Sequence, residues 1–139
     1  MNPILKTGLI IGGLCAIWMF VFGMAGWYRD PATAKLFFFV VAIEVGALIW
    51  GLRQTAREGR SYAAQVVAGT MMAIVAGVVI VAASLTFTAV VFRDALDVMR
   101  ASDPSATSMS GALNGFIGTL ITGILGSAVI AVWIRAPRR

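Results

Sequence analysis

Residues 61–92, SYAAQVVAGTMMAIVAGVVIVAASLTFTAVVF, contain no Asp, Glu, Lys or Arg. A helix needs roughly 20 mostly apolar residues to cross the ~30 Å hydrocarbon core of a bilayer, so this stretch is long enough to span one. An unbroken run of this length predicts a helix, because the strands of a membrane β-barrel appear as short segments of alternating polarity.

Three further apolar runs complete the chain. They cover 7–28, 36–52 with Glu44 as its charged residue, and 101–134 with Asp103 as its charged residue. A chain of 139 residues with 60% hydrophobic residues, 12% charged residues and a mean hydropathy of +0.92 cannot bury this surface in a soluble core. The sequence predicts one all-α domain, a polytopic membrane protein with four transmembrane helices in an antiparallel bundle. The predicted helices cover about 5–28, 31–58, 61–100 and 104–135.

Two dipeptides predict where helices begin. Asp30-Pro31 and Asp103-Pro104 each place an N-cap acid before a proline, which is tolerated in the first helical turn. Residues 92–100 repeat apolar side chains at helical spacing, with charged side chains on the opposite face. The third helix is therefore predicted to project beyond the bilayer or to bend along its surface.

The positive charges predict the orientation of the chain. Seven of the eleven Lys and Arg residues lie at the two ends and in the loop between the second and third helices. Because cytoplasmic segments carry the excess of Lys and Arg, both termini are predicted to be cytoplasmic. The net charge of +5 is spread around the ends of the apolar runs, so membrane lipid rather than nucleic acid is the predicted partner. The seven cations are Lys6, Arg53, Arg57, Arg60, Arg135, Arg138 and Arg139.

Glu44 is an acid in the middle of the second apolar run. It lies eight residues from both Leu36 and Leu52, near the predicted midplane, where an ionisable residue costs about 2.5–3.5 kcal/mol. This cost favours a neutral carboxyl group, and no Lys, Arg or His lies at a matching depth to pair with it. Hydroxyl groups are the predicted hydrogen-bond partners. They belong to Ser84, Thr86, Thr119 and Thr122.

Small residues recur at four-residue spacing along several helices. Such stripes mark faces where helices in lipid approach closely, because association there depends on packing rather than on hydrophobicity. A single four-helix bundle is not expected to use every stripe internally, so a homo-oligomer is predicted, with packing inside one chain as the alternative. The predicted packing residues are Gly8, Gly12, Gly69, Ala73, Gly77, Gly111, Gly115 and Gly123.

Glu44 supports two hypotheses of function. In the first, the chain is a non-enzymatic packing or accessory protein in which a neutral Glu44 fixes helix register. In the second, it is a small oligomeric proton-coupled transporter of a cationic or polar solute, and Glu44 is the proton or cation site. The second resembles the small multidrug-resistance transporters in size, helix number and lone membrane acid, although their acid lies on the first helix. An interface with a cationic partner protein is a further alternative.

An enzyme is not predicted. The chain has no histidine and a single cysteine, Cys15, which excludes Ser-His-Asp triads, imidazole metal sites and disulfides within the chain. Polar residues such as Gln65 and Asn114 form no recognisable catalytic arrangement. We expect neither a metal nor a cofactor.

A family resemblance is carried by residues 59–80, GRSYAAQVVAGTMMAIVAGVVI, through Gly59, Tyr62, Gln65 and Gly69. This stretch resembles a family of small bacterial membrane proteins with four predicted helices, known only as a domain of unknown function. The four-helix layout and the glycine-rich last span ending in arginines extend the resemblance over most of the chain. The resemblance implies a bacterial inner (plasma) membrane and no particular activity.

Overall fold

The structure is a computed structural model that describes residues 1–134, and within them all regular secondary structure is helical. The predictions for Arg135, Arg138 and Arg139 lie outside the described residues. The α-helices are α1 (Pro3–Met24), α2 (Pro31–Ala34), α3 (Phe39–Ala56), α4 (Tyr62–Thr86), α5 (Asp94–Ser102) and α6 (Ser108–Trp133).

Four helical stretches are long and apolar enough to cross a membrane, which confirms the predicted all-helical class and the number of long apolar helices. The second stretch joins α2 and α3 through a 3₁₀ turn at Lys35–Phe38. It begins as predicted, because the Asp30 side chain accepts a hydrogen bond from the Ala32 N–H in front of the first turn. The four stretches are Pro3–Met24, Pro31–Ala56, Tyr62–Val91 and Ser108–Trp133.

The third predicted helix, 61–100, is divided in two in the structure. A π-helical turn at Phe87–Val91 follows α4, and the chain leaves the helical conformation at Phe92, with φ −120° and ψ 67°. The amphipathic segment then forms α5 as a separate helix. The ion pair between Arg29 and Asp94 places the first turn of α5 beside the turn that follows α1.

The fourth helix begins at Ser108, so the prediction of a start at 104 is wrong by four residues. Thr107 and Ser110 form a capping box in which each side chain accepts a hydrogen bond from the other residue's N–H. Asp103 instead accepts hydrogen bonds from the N–H and the hydroxyl of Ser105, at 3.0 and 2.6 Å. Its short carboxylate therefore stabilises a turn before the helix rather than the helix start.

The core lies around α4, which packs mainly against α1 and α6. In the most apolar 18 residues of its span, 39% are buried, against 11% in the span that contains α3. The small side chains of Ala68, Ala73 and Ala76 on α4 let neighbouring helices approach closely around the buried Met72. Of the four long spans, the one that contains α3 has the smallest buried share, so α3 has the fewest buried residues to hold it against its neighbours.

Aromatic rings and one ion pair connect the turn after α1 to α5. The rings of Phe87 and Phe92 have centroids 4.7 Å apart, and Tyr28 packs against both. The Tyr28 hydroxyl donates to Asp94 at 2.8 Å, and Arg29 forms an ion pair with the same carboxylate oxygen at 2.7 Å. These contacts hold α5 against the turn that follows α1.

Candidate functional site

Glu44 points into the protein from the middle of α3. It is 6% exposed, and it shares one face of the helix with Leu48, Gly51, Leu52 and Thr55, all of them buried. The residues between them on the opposite side are exposed or partly exposed. Glu44 thus lies on the face of α3 that is buried against the neighbouring helices.

Two threonines of α6 approach the carboxyl group. The Thr119 hydroxyl donates a hydrogen bond to Glu44 Oε1 at 2.6 Å, and both residues are buried. Thr122, almost one helical turn later, lines the small cavity beside the same group. A hydroxyl group donates one hydrogen bond and accepts others, so these two threonines can serve the carboxyl group whether it holds a proton or not.

A cavity of about 10 Å³ adjoins the carboxyl group. Each of the four long helices contributes to its wall: Ile11 from α1, Leu48 from α3, Ala73 from α4 and Gly123 from α6. A volume of this size holds about one water molecule. The site therefore has room for a proton and a single water molecule beside the acid, and not for a solute larger than water.

Ser84 and Thr86, two of the predicted partners, do not lie at this site. Ala73 is the α4 residue that lines the cavity, and Ser84 follows it by eleven residues, about 16 Å along the helix. The exposed Thr86 donates its hydroxyl to the Ala82 carbonyl at 2.9 Å within its own helix. The third apolar run is much longer than a bilayer requires, so counting along it could not establish which residues match Glu44 in depth.

The predicted packing residues lie against other helices of the same chain. A Cβ atom at Gly8 would lie 2.6 Å from Val75 Cβ, and one at Gly12 would lie equally close to Val79 Cβ, both on α4. The expectation that some of these stripes remain on the outside does not hold for these residues. The remaining contacts are Gly69 with Ser127, Ala73 with Gly123, Gly77 with Phe116, Gly111 with Met99 and Gly115 with Ile80.

A second buried polar pair lies near the turn between α3 and α4. The Thr55 hydroxyl donates to Gln65 Oε1 at 2.6 Å, and both residues are buried. The hydroxyl of Thr7 is also buried, and its side chain lies against the backbone of Gly51. Sequence reasoning missed this pair. The sequence did contain a signal for it. Thr55 lies on the same helical face as Glu44, and Gln65 lies on the same helical face as Gly69.

No cluster of three or more His, Cys, Asp or Glu side chains within residues 1–134 has an arrangement that could hold a metal ion. The Glu44 site is thus a single carboxyl group with two hydroxyl neighbours in apolar surroundings. The chain matches no model of a protein family, and comparisons with curated proteins and with solved structures found no match.

Proposed function

We propose that this chain is a multi-pass protein of a bacterial inner membrane, with both termini cytoplasmic and its four long helices forming an antiparallel bundle. In this proposal it is a non-enzymatic packing or accessory protein. Glu44 acts in it as a neutral hydrogen-bonding group that holds α3 against α6. The observation that carries the proposal is the 2.6 Å hydrogen bond between Thr119 and Glu44 inside a cavity of about 10 Å³.

The weak burial of α3 supports this role for Glu44. Helices in lipid gain little from the hydrophobic effect, so a helix with few buried residues relies on close packing and on hydrogen bonds to its neighbours. In α3 the carboxyl group reaches α6 at mid-helix, and Thr55 reaches Gln65 of α4 near the helix end. Two polar contacts at different depths define both the rotation and the register of α3.

The size of the cavity argues against a carrier that binds its solute at Glu44. Sites for small molecules usually enclose about 300–1,000 Å³, far more than the cavity here. The alternative proposal, a proton-coupled transporter with Glu44 as the proton or cation site, requires the four helices to separate at this point. The first proposal requires no such movement.

Glu44 variants distinguish the two proposals. We expect Glu44→Gln to keep most of the thermal stability in mild detergent, because an amide oxygen still accepts the Thr119 hydrogen bond. Glu44→Leu and Thr119→Val should each lower the free energy of unfolding by about 0.6–1.7 kcal/mol, the range for hydrogen bonds between membrane helices. Thr86→Val is the matched control, since its hydroxyl bonds only within its own helix.

The same variants are then measured for proton flux in liposomes. The packing proposal expects the native chain and Glu44→Gln to give the same flux as empty liposomes. A solute-driven proton flux that the native chain supports and Glu44→Gln abolishes would establish the transporter instead. Unchanged stability in both Glu44→Leu and Thr119→Val would remove the role of Glu44 in holding α3.

A further inference from the structure

An apolar groove of about 660 Å³ runs between α1 and α3 on the outside of the protein. Leu14, Ile17 and Trp18 form one wall, and Ile43 and Trp50 form the other. The groove is open because few large side chains of α3 reach across it. It belongs to the side of α3 that faces away from Glu44 and its buried neighbours.

The length of the groove follows from helix geometry. Its lining on α1 extends from Ile10 to Val21, eleven residues or about 16 Å of helix. This is close to half of the ~30 Å hydrocarbon thickness, the depth of one lipid leaflet. A groove with these dimensions accommodates one acyl chain lying along the helices.

Two cations continue the lining of the groove at one end. Lys6 lies four residues before Ile10 on α1, and Arg53 lies three residues after Trp50 on α3, so each shares the face of its helix that lines the groove. Both are exposed, and within residues 1–134 neither takes part in an ion pair.

The two cations also lie at the same depth. The side chain of Thr7, next to Lys6, meets the backbone of Gly51, two residues before Arg53. The cations therefore flank the same end of the groove, at the level where headgroups begin once the hydrocarbon ends. Along the groove itself, in contrast, every lining side chain is apolar or aromatic.

We propose that this groove binds one acyl chain of an anionic phospholipid, whose phosphate lies between Lys6 and Arg53. The proposal rests on the proposed insertion of the chain in a membrane. A cation near an anionic leaflet contributes about fivefold in affinity, so two of them give a clear preference over a zwitterionic lipid. The flexible acyl chain fits the irregular surface between the bulky side chains.

A second copy of this chain is a poorer occupant for the groove. Close association of helices in lipid requires small residues on the approaching faces. The eight small residues predicted for packing already lie against helices of the same chain. The small residues of the groove, Ala42, Gly46 and Ala47, all lie on its α3 wall. The α1 wall presents large Ile, Leu, Trp and Val side chains, which hold an approaching backbone at a distance.

The test measures lipid binding to the purified chain in mild detergent by native mass spectrometry. Phosphatidylglycerol and phosphatidylcholine with identical acyl chains are titrated separately. We expect one tightly bound phosphatidylglycerol, with a preference over phosphatidylcholine of at least tenfold. Lys6→Gln and Arg53→Gln should each reduce that preference about fivefold. Arg93→Gln, at the other end of the molecule, should leave it unchanged.

Gly46→Leu tests the groove itself. A Cβ at Gly46 meets nothing within 4 Å, so a leucine enters the groove without disturbing the fold, and it should lower the binding of both lipids severalfold. Gly118→Leu is the matched control, because this glycine is equally open but lies on α6 outside the groove. Helical content by circular dichroism verifies that both variants are folded.

Three results would overturn the lipid site. They are equal binding of the two lipids by the native chain, equal effects of Gly46→Leu and Gly118→Leu, and a Gly46→Leu variant that breaks a dimer while its bound lipid is unchanged. Alkaline extraction of cell membranes keeps this test separate from the proposed function. A chain released by alkali contradicts membrane insertion, whereas a chain that stays in the membrane without a lipid preference contradicts the lipid site alone.

Discussion

At the scale of single residues, Glu44 illustrates how an acid can remain in apolar surroundings. Burying a carboxyl group is costly unless its oxygen atoms have hydrogen-bond partners, and Thr119 provides one at 2.6 Å. The cavity beside it accommodates a single water that could serve the second oxygen. The acid therefore needs no positive charge at its depth.

Glycine packing gives a residue-scale prediction with a control in the same helix. Gly8→Ala should destabilise the protein by about 1–3 kcal/mol, because the new Cβ lies 2.6 Å from Val75 Cβ and 2.8 Å from the Met72 carbonyl oxygen. Gly13→Ala has open space around its Cβ and should be neutral or up to about 1 kcal/mol more stable, through the higher helix propensity of alanine. Thermal unfolding in detergent, followed by circular dichroism, measures both. Equal midpoints for the two variants would contradict the close approach of α1 and α4.

At the scale of elements, the position of α5 depends on an exposed ionic contact. Hydrogen bonds from Tyr28 and Arg29 to the Asp94 carboxylate hold the pKa of that group below its usual value. A lowered pKa means that ionised Asp94 stabilises the folded arrangement. That stabilisation is complete above the ordinary aspartate pKa of about 3.9 and is lost as the pH falls through the lower folded-state pKa.

We therefore expect the contact that holds α5 to weaken as the pH falls below the ordinary aspartate pKa of about 3.9, while the apolar helices stay assembled. Hydrogen exchange of the α5 amides, measured from pH 6 to pH 3 and corrected for the intrinsic exchange rate, should show falling protection in the native chain. In Asp94→Asn the protection should already be reduced at pH 6 and should change little with pH. Asp97→Asn, on the same helix, is the control. A pH profile of Asp94→Asn identical to that of the native chain would exclude the contact as the cause.

At the scale of the whole molecule, three segments meet at one end. Thr7 of α1 lies against Gly51 of α3, and Ile134 after α6 lines a small cavity with Leu52 and Tyr62. The beginning of the chain, the turn between α3 and α4, and the end of α6 are therefore neighbours. This arrangement agrees with termini on one side of a membrane, and the excess of Lys and Arg favours the cytoplasmic side.

Cysteine labelling in intact cells measures this orientation. Ala101→Cys lies at the α5 end and should react with a membrane-impermeant thiol reagent, whereas Ala63→Cys, in the first turn of α4, should react only after the cells are permeabilised. The native Cys15 is fully buried and serves as the unreactive background. Reversed labelling would place both termini outside, and labelling of both positions in intact cells would contradict a membrane between them.

The homo-oligomer stays a prediction. Its argument from unused small residues no longer applies, since Gly8 and Gly12 pack against α4, and Gly69, Ala73 and Gly77 pack against α6. The family resemblance carried by Gly59, Tyr62, Gln65 and Gly69 stays a prediction in the same way.

The all-helical class, the four long apolar helices and the acid in the middle of the second one could be predicted from the residues alone. These follow from composition, run length and capping residues, which act locally along the chain. The packing of the helices, by contrast, established that Thr119 rather than Thr86 meets Glu44, that α5 separates from α4, and that Gly8 and Gly12 pack against α4. The relative depth and rotation of packed helices depend on side-chain contacts between distant segments, and the length and polarity of each segment leave these contacts open.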